Sequence, residues 1–126
     1  MEKQIINTPN APAPIGPYNQ AILTGNMLFA SGQIAINPAT NQLVTEDIVA
    51  ETHQVMQNVK AILNAAGMEF SDVLKSTIFI TDMNDFGKIN EAYGSYFSGY
   101  APARETVQVA ALPKNVHVEI SVIASK

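Results

Sequence analysis

Two charged residues near the end of the chain could together bind and activate a small molecule. Arg104 is the only arginine, and every other basic side chain is a lysine. Only arginine has a planar guanidinium that binds a carboxylate through two parallel hydrogen bonds, so this residue could hold an acid group. Glu119 lies in the apolar run 116–124, where a carboxylate is costly without partners. Glu119 could therefore orient or activate a water molecule.

Both residues also allow plain structural interpretations, which the sequence leaves open. Arg104 could lie on the surface at the edge of a strand, and Glu119 could face solvent or pair with a lysine. Because every other basic residue is a lysine, the single arginine indicates that position 104 requires the planar geometry of a guanidinium and not merely a positive charge. In the last predicted strand, alternation places Glu119 with His117 and Ser121, on the face opposite the valine and isoleucine side chains.

Other reaction chemistries lack the residues that they need. The chain has no cysteine, which excludes thiol catalysis and thiolate metal sites. Its two histidines, His53 and His117, are too few for a metal site by themselves. Ser31 precedes Gly32, but the G-x-S-x-G pattern of serine hydrolases does not surround it. The sequence also lacks the glycine-rich motifs of common nucleotide-binding folds. The net charge of −4, without any basic cluster, argues against nucleic-acid binding.

Length and composition predict one domain over residues 1–126. Charged residues make up 14% of the chain, against about 25% in typical globular domains, so we expect an oligomer that hides part of the surface. The N-terminus lacks a signal-peptide pattern, and no segment is long and apolar enough to span a membrane. We therefore expect a cytoplasmic protein.

The elements that must position these residues follow the order β-β-β-α-β-α-β-β. Two segments have apolar residues at helical spacing and are predicted to end at Gly67 and Gly99, whereas β-branched residues concentrate in the strands. The order predicts an α+β fold, a mixed sheet with two helices on one face. The opposite face then lacks a cover, and self-association is the simplest one. The predicted elements are a strand near 5–7, a hairpin over 21–36, helices over 45–67 and 85–97, and strands over 73–81, 105–111 and 116–124.

Proline and glycine mark two places where the backbone could lie close to a ligand. Residues 10–20 are rich in proline and predict a loop. This loop could be a rigid connector, a proline-motif ligand for another domain, or a segment that presents Tyr18 to a pocket. Gly32 lies inside an apolar run, where glycine marks a bulge or a close approach to the backbone.

Five segments are specific enough to compare with known families. They are IGPYNQ (15–20), ASGQI (30–34), NVKAILNAAG (58–67), DMNDFGKINEAYGSYF (82–97) and PARETVQVAALPKNVHVEI (102–120). The last is the most specific, because Pro-x-Arg, Leu-Pro and Val-x-Val-Glu-Ile occur in it at fixed spacing. In these segments the chain resembles the RidA/YjgF family of enamine and imine deaminases, the reactive intermediate deaminases that act on 2-iminobutanoate and 2-iminopropanoate.

The resemblance implies a chorismate-mutase-like fold and a homotrimer with active sites in clefts between subunits. It implies hydrolytic deamination of reactive 2-imino acids and enamines, such as 2-aminoacrylate and 2-aminocrotonate, to 2-oxo acids and ammonia. The protein itself would use no cofactor and no metal. The alternative function is a non-catalytic trimer that binds a 2-oxo acid and regulates a partner. RNA cleavage, proposed for some relatives, conflicts with the acidic charge.

Three residues would carry the reaction that the resemblance implies. Arg104 would bind the substrate carboxylate, and Glu119 would hold the water that attacks the imine carbon. Tyr18, on the proline-rich loop, would close the pocket from its own or a neighbouring subunit.

The resemblance also implies that five residues contribute to substrate binding. Ser31 and Gly32 would line the site, and Asn90 and Phe86 would lie near it. Thr106 stands where many family members have cysteine. Threonine suffices if its backbone carbonyl binds the imine nitrogen, whereas a side-chain contact would change the substrate range or the rate.

Overall fold

The computed structural model describes residues 2–126, which form eight β-strands and two α-helices. Six strands form one sheet in the order β1-β2-β3-β8-β6-β7, and two short strands form a separate ribbon, β4-β5. The predicted α+β order is confirmed, and the ribbon is an addition that the sequence pattern did not indicate. The elements are β1 (Lys3–Ile6), β2 (Ala21–Thr24), β3 (Met27–Ala30), β4 (Ile36–Asn37), β5 (Gln42–Leu43), α1 (Ile48–Ala65), β6 (Val73–Ile80), α2 (Phe86–Gly94), β7 (Ala103–Gln108) and β8 (Val118–Ser125).

The main sheet is mixed, as predicted. Its neighbouring strands are antiparallel except β6 and β7, which are parallel because the chain crosses between them through α2. Both helices pack on one face of the sheet and form a single core with the inward-facing strand residues. Neither helix of the described chain has the length and apolarity to cross a membrane. Core members from strands and helices include Leu28, Val55, Ile62, Ile78, Ile89 and Ile120.

Helix α1 begins and ends where the local sequence favours it. The Asp47 carboxylate accepts a hydrogen bond of 2.8 Å from the Ala50 N–H, which satisfies a free donor of the first turn. Gly67 follows the helix with a φ of 73°, a left-handed conformation that glycine adopts without steric cost. The predicted span 45–67 therefore exceeds the helix only by its flanking residues.

Helix α2 is shorter than predicted. It ends at Gly94, whereas Gly99 lies in the following loop with a φ of 83°. Tyr96 and Phe97 follow the helix and still pack against the core, where both rings contact Phe70. Helical spacing therefore indicated their burial correctly but not their secondary structure.

Strand β7 starts and ends earlier than the predicted span 105–111. It covers Ala103–Gln108, so Arg104 lies within the strand and pairs with Ser76 of β6. The shift matters because the register of a strand decides which face of the sheet each side chain occupies.

The sheet face opposite the helices, here called the open face, is covered by neither helix within residues 2–126, and the proline-rich loop lies against it near Glu119. Strand pairing aligns an apolar row across it, in which Ile5 is opposite Ile22, Ile22 opposite Phe29, and Phe29 opposite Ile123. Ile5 is 55% exposed and Phe29 is 44% exposed. A contiguous exposed apolar patch of this kind is typical of an interaction surface.

Candidate active site

Arg104 packs against one side of helix α2. Phe86, Asn90 and Tyr93 share a helical face because they are four and three positions apart. The Arg104 Nη1 donates a hydrogen bond of 2.5 Å to the Asn90 Oδ1. Its guanidinium carbon lies 5.7 Å from the centroid of the Phe86 ring and 5.3 Å from that of Tyr93, within cation–π range. These four residues and Thr106 are called the arginine half-site.

The guanidinium has no negative partner within residues 2–126. The adjacent Glu105 pairs with Lys75 at 3.0 Å, and Glu51 pairs with His117. Asn90 is neutral and satisfies only one of the five guanidinium donors. The remaining donors are therefore available to the acid group of a ligand.

Thr106 lies beside Arg104 and carries an unsatisfied hydroxyl. The two residues pair with Ser76 and Ile78 of β6, whose side chains are buried on the helix side of the sheet. The Thr106 Oγ1 is itself buried and has no hydrogen-bond partner among residues 2–126. A buried polar atom without a partner costs about 1–3 kcal/mol, so this hydroxyl is a candidate contact for a ligand.

Glu119 lies in a second cluster, where β8 runs beside the chain that follows β3. Gln33 and Ile120 exchange backbone hydrogen bonds of 2.8 and 3.1 Å, which hold the two segments together. A Cβ atom on residue 32 would lie 2.4 Å from the Glu119 Oε2, so any residue other than glycine would displace this carboxylate. The close approach that Gly32 indicated in the sequence is therefore the approach of the Glu119 side chain.

Tyr18 and Glu119 line the same small pocket together with Gly32. These three residues are called the glutamate half-site. The pocket has a volume of about 40 Å³, which is room for at least one water molecule. Pro12 and Ile15 contribute apolar walls, and the Ile15 N–H donates a hydrogen bond of 3.3 Å to the Tyr18 hydroxyl. The pocket therefore places a carboxylate and a phenol around one water-sized space.

The loop that carries Tyr18 is held by buried side chains. Gln20 is 2% exposed, and its amide makes four hydrogen bonds to backbone groups of residues 8–12. The Ser31 hydroxyl donates a hydrogen bond of 2.6 Å to the Asn19 carbonyl. The Ser31 N–H also donates a hydrogen bond of 2.9 Å to the Gln20 carbonyl, so both donors of Ser31 are engaged in the loop and only its acceptor oxygens remain for a ligand.

Burial raises the pKa of the Glu119 carboxyl above its ordinary value of 4.5, because apolar surroundings disfavour the charged form. No hydrogen bond from residues 2–126 reaches this carboxylate to oppose the shift. A carboxyl with a raised pKa is suited to exchange a proton with bound water near neutral pH. Within the same residues, no three His, Asp or Glu side chains are placed to hold a metal ion.

The two half-sites lie on opposite faces of the sheet. Arg104 is opposite Ser76 of β6, whose buried hydroxyl accepts a hydrogen bond from Tyr93 of α2. Glu119 is opposite Phe79 of the same strand. Side chains alternate along a strand, and Ser76 and Phe79 are an odd number of positions apart, so they point to opposite faces. Arg104 and Glu119 of one chain therefore cannot contact the same small molecule through the sheet.

Sequence reasoning missed two residues that shape the half-sites. The apolar face of α2 predicts only that Tyr93 is buried in the core or an interface, whereas its ring also contacts Arg104. The helical spacing of Phe86, Asn90 and Tyr93 could have indicated it. Gln20 ends the segment IGPYNQ, but no sequence signal indicates its contacts with residues 8–12.

Known proteins resemble this chain over nearly its whole length. Residues 8–126 match the family model described as Endoribonuclease L-PSP. A RutC family protein of Pyrococcus horikoshii is 54% identical over 124 residues, which cover 98% of each chain. The 2-iminobutanoate/2-iminopropanoate deaminase of Mus musculus is 47% identical over 122 residues, which cover 97% of this chain and 90% of the mouse protein. The chain belongs to the RidA/YjgF family.

Solved structures of the RidA/YjgF family agree with the fold. The crystal structure of RidA from an Antarctic Psychrobacter bacterium matches with a TM-score of 0.95 and 44% identity, covering 98% of this chain and 99% of that one. The chorismate-mutase-like fold is thereby confirmed. Some RidA/YjgF relatives are named as imine deaminases and others only as family members, so the family alone does not assign a reaction to this chain.

Glu119→Gln should stabilise the folded protein at neutral pH, because it removes a half-buried charge that has no hydrogen-bond partner. The folded-state pKa lies above the unfolded value of 4.5. The wild-type protein should therefore lose stability as the pH rises through these two values. The advantage of the variant should be full above the folded pKa and absent below 4.5.

Urea unfolding of both proteins between about pH 4 and pH 8 measures this difference. Glu91→Gln, at an exposed position of α2, is the matched control and should show no such pH dependence. A wild-type protein more stable than Glu119→Gln at the alkaline end would contradict the assignment of Glu119 to a desolvated site.

Proposed function

We propose that this protein is an enamine/imine deaminase that hydrolyses 2-imino acids to 2-oxo acids and ammonia. The observation that carries the proposal is the Arg104 guanidinium, which neutral Asn90 and two aromatic rings hold in place without a carboxylate partner in the described chain. A 2-imino acid presents a carboxylate whose geometry matches this planar cation. Similarity to the mouse 2-iminobutanoate/2-iminopropanoate deaminase supports the same substrate class.

The proposed active site combines two subunits of a cytoplasmic homotrimer. Within one chain the two half-sites lie on opposite faces of the sheet. The arginine half-site of one subunit would therefore face the glutamate half-site of the next. The exposed apolar row on the open face, which includes Ile5 and Phe29, supports an interface there. A closed ring of three subunits would contain three equivalent sites.

The proposed reaction needs positioned reactants and one group that transfers a proton. Arg104 would bind the substrate carboxylate and place the imine carbon beside the water in the Glu119 pocket. As the water oxygen bonds to that carbon, Glu119 would accept a proton from the water and pass it to the imine nitrogen, which gives a carbinolamine with one hydroxyl and one amino group. Glu119 would then transfer the hydroxyl proton to the amino group, the C–N bond would break as the C=O bond forms, and ammonia and the 2-oxo acid would leave.

An imine is already electrophilic, so the rate enhancement expected from positioning and proton transfer is enough for its hydrolysis. Positioning is worth several kcal/mol and general acid–base help about 10²–10⁴-fold. An enamine such as 2-aminoacrylate or 2-aminocrotonate would first be protonated at carbon to give the imine. No step requires a cofactor.

RNA cleavage fits this chain less well, although the family model is described as an endoribonuclease. RNA binding draws on clusters of basic residues, whereas this chain carries a net charge of −4 and a single arginine. A non-catalytic trimer that binds 2-oxo acids would use the same carboxylate contact, so turnover distinguishes it from the deaminase.

The wild-type protein should accelerate the release of 2-oxobutanoate from the imine that a threonine dehydratase generates in the assay. Arg104→Lys should lower kcat/KM by roughly 10–100-fold, because lysine keeps the charge but loses the bidentate geometry. Arg104→Ala should abolish the acceleration. Lys60→Ala, which removes an exposed charge from α1, is the control. Binding of 2-oxobutanoate by the wild type without any turnover would identify the regulatory alternative instead.

Two inactive variants should restore activity when their subunits are mixed. Arg104→Ala keeps the glutamate half-site, and Glu119→Gln keeps the arginine half-site. In randomly mixed trimers built from equal amounts, about a quarter of intersubunit sites would combine two intact halves. Coexpression followed by the 2-oxobutanoate assay measures the recovered fraction, and light scattering should give about three times the chain mass of 13.6 kDa. Mixed trimers with no activity would contradict the shared site.

Thr106→Val should preserve or raise thermal stability while lowering kcat/KM about threefold to tenfold. Valine has nearly the shape of threonine, and removing a buried hydroxyl without a partner is neutral or stabilising. The activity falls only when that hydroxyl binds the substrate. Thr106→Ser, which keeps the hydroxyl, is the matched control for kcat/KM. A Thr106→Val protein with wild-type kinetics would leave the backbone carbonyl as the contact at this position.

A further inference from the structure

Glu51 is a fully buried carboxylate for which the proposed reaction has no use. It lies on α1 and is 0% exposed, which is rare for a glutamate without partners. Its Oε2 accepts hydrogen bonds of 2.6 Å from the His117 N–H and 3.1 Å from the Val118 N–H. Its Oε1 lies 2.7 Å from the His117 Nδ1, and the His117 side chain is 49% exposed. Every contact of this carboxylate is therefore made at the start of β8.

The Val118 N–H at the start of β8 needs a hydrogen-bond acceptor, because the segment that follows β3 no longer pairs with β8 there. Ile120 exchanges both of its backbone hydrogen bonds with Gln33. Backbone N–H groups along a strand alternate between its two edges, so the Val118 N–H points to the same edge as that of Ile120. The pairing with this segment ends at Gln33, and Glu51 supplies the acceptor that a further strand residue would have supplied.

Strand β6 holds one edge of β8 around Glu119, and on the other edge the position of Glu119 depends on both of its neighbours in β8. Ile120 is held by Gln33, and Val118 is held by Glu51. The Glu119 carboxylate lies directly against Gly32, since a Cβ atom added to that residue would come within 2.4 Å of its Oε2. A shift at the start of β8 would press this carboxylate against Gly32 or withdraw it from the water-sized pocket.

We propose that Glu51 is a positioning residue for Glu119, acting from the helix side of the sheet through the backbone of Val118. The inference rests on the proposed deaminase function for its kinetic consequence but not for its structural one. Glu51 touches neither substrate nor water. It fixes the strand from which the water-binding carboxylate projects.

Three variants test this role. Glu51→Asp keeps the charge but withdraws the carboxylate by one methylene, so it should no longer reach both N–H groups of β8. Glu51→Gln keeps an acceptor oxygen of the same reach, and its amide can face the His117 ring. Val59→Ala, at a buried position of the same helix, is the control for loss of stability alone.

The kinetic result expected is a split between kcat and KM. Glu51→Asp should lower kcat by about 10–100-fold, since small misplacements of a catalytic group have effects of this size. KM should change less than about threefold, because Arg104 still binds the substrate carboxylate. Glu51→Gln should retain most of the wild-type kcat, as should Val59→Ala assayed well below its melting temperature. A Glu51→Asp protein that keeps its kcat, or loses no more than Val59→Ala, would overturn the proposal.

Crystal structures of the wild type and the variants give a readout that does not depend on deaminase activity. In Glu51→Asp the Glu119 carboxylate should be displaced relative to Gly32, and in Glu51→Gln it should not. An unmoved Glu119 in a folded Glu51→Asp protein refutes the positioning role, whereas an inactive wild type refutes only the proposed reaction. If Glu51→Asp does not fold, Glu51→Gln decides by itself, since a folded Gln variant with low kcat and an unmoved Glu119 is incompatible with the proposal.

Discussion

The alternation of side chains along β6, β7 and β8 is the constraint from which the candidate site follows. Arg104 pairs with Ser76 and Glu119 with Phe79, so the register places the cation and the carboxylate on opposite faces. A slip of one residue in β7 would move Arg104 to the face where Glu105 now pairs with Lys75. The register therefore prevents the two charges from neutralising each other within one chain. Each keeps its capacity to bind something else.

The same register divides the sheet into a face that the helices cover and a face that they leave open. Fully burying an apolar side chain such as Phe29 is worth about 1.5–3 kcal/mol, so the open face has free energy to gain from a partner surface. In the proposed trimer this gain would drive assembly, and assembly would bring the half-sites together. Catalysis and burial would then depend on one interface. A chain with a perfectly folded core but a polar open face would be stable and inactive.

Local patterns predicted the elements, and long-range contacts decided the details of the site. Period-two alternation placed Glu119 opposite the buried residues of β8, and helical periodicity found α1. The contact between Gly32 and Glu119 could be anticipated only as a close approach of some group. Its partner is far away in the sequence, and only the pairing of Gln33 with Ile120 brings the two together.

Glu51 illustrates what helical periodicity can and cannot predict about a buried polar residue. It lies three positions after Ile48 and four before Val55, on the apolar side of α1, so a carboxylate there must have a partner. Helical periodicity can therefore identify the anomaly. It cannot identify the partner, because His117 and Val118, where β8 begins, lie far along the chain from α1. Strand bounds had the same weakness, since β7 begins before the β-branched residues that suggested it.

The polar groups around the site are of two kinds. Those that support the site have hydrogen-bond partners within the chain, and those that could contact a ligand do not. Gln20 makes four hydrogen bonds to the loop that carries Tyr18, and Glu51 makes three contacts to His117 and Val118, where β8 begins. By contrast, the Thr106 hydroxyl has no partner, the Glu119 carboxylate accepts no hydrogen bond, and Arg104 contacts no acid within residues 2–126. Among these groups only the Thr106 hydroxyl is fully buried, so its free energy cost is the one that a ligand or a water molecule must offset, whereas Arg104 and Glu119 are partly exposed to solvent. Each half-site therefore has polar atoms that the described chain does not engage, which is a physical reason, independent of any resemblance, to expect polar ligands there.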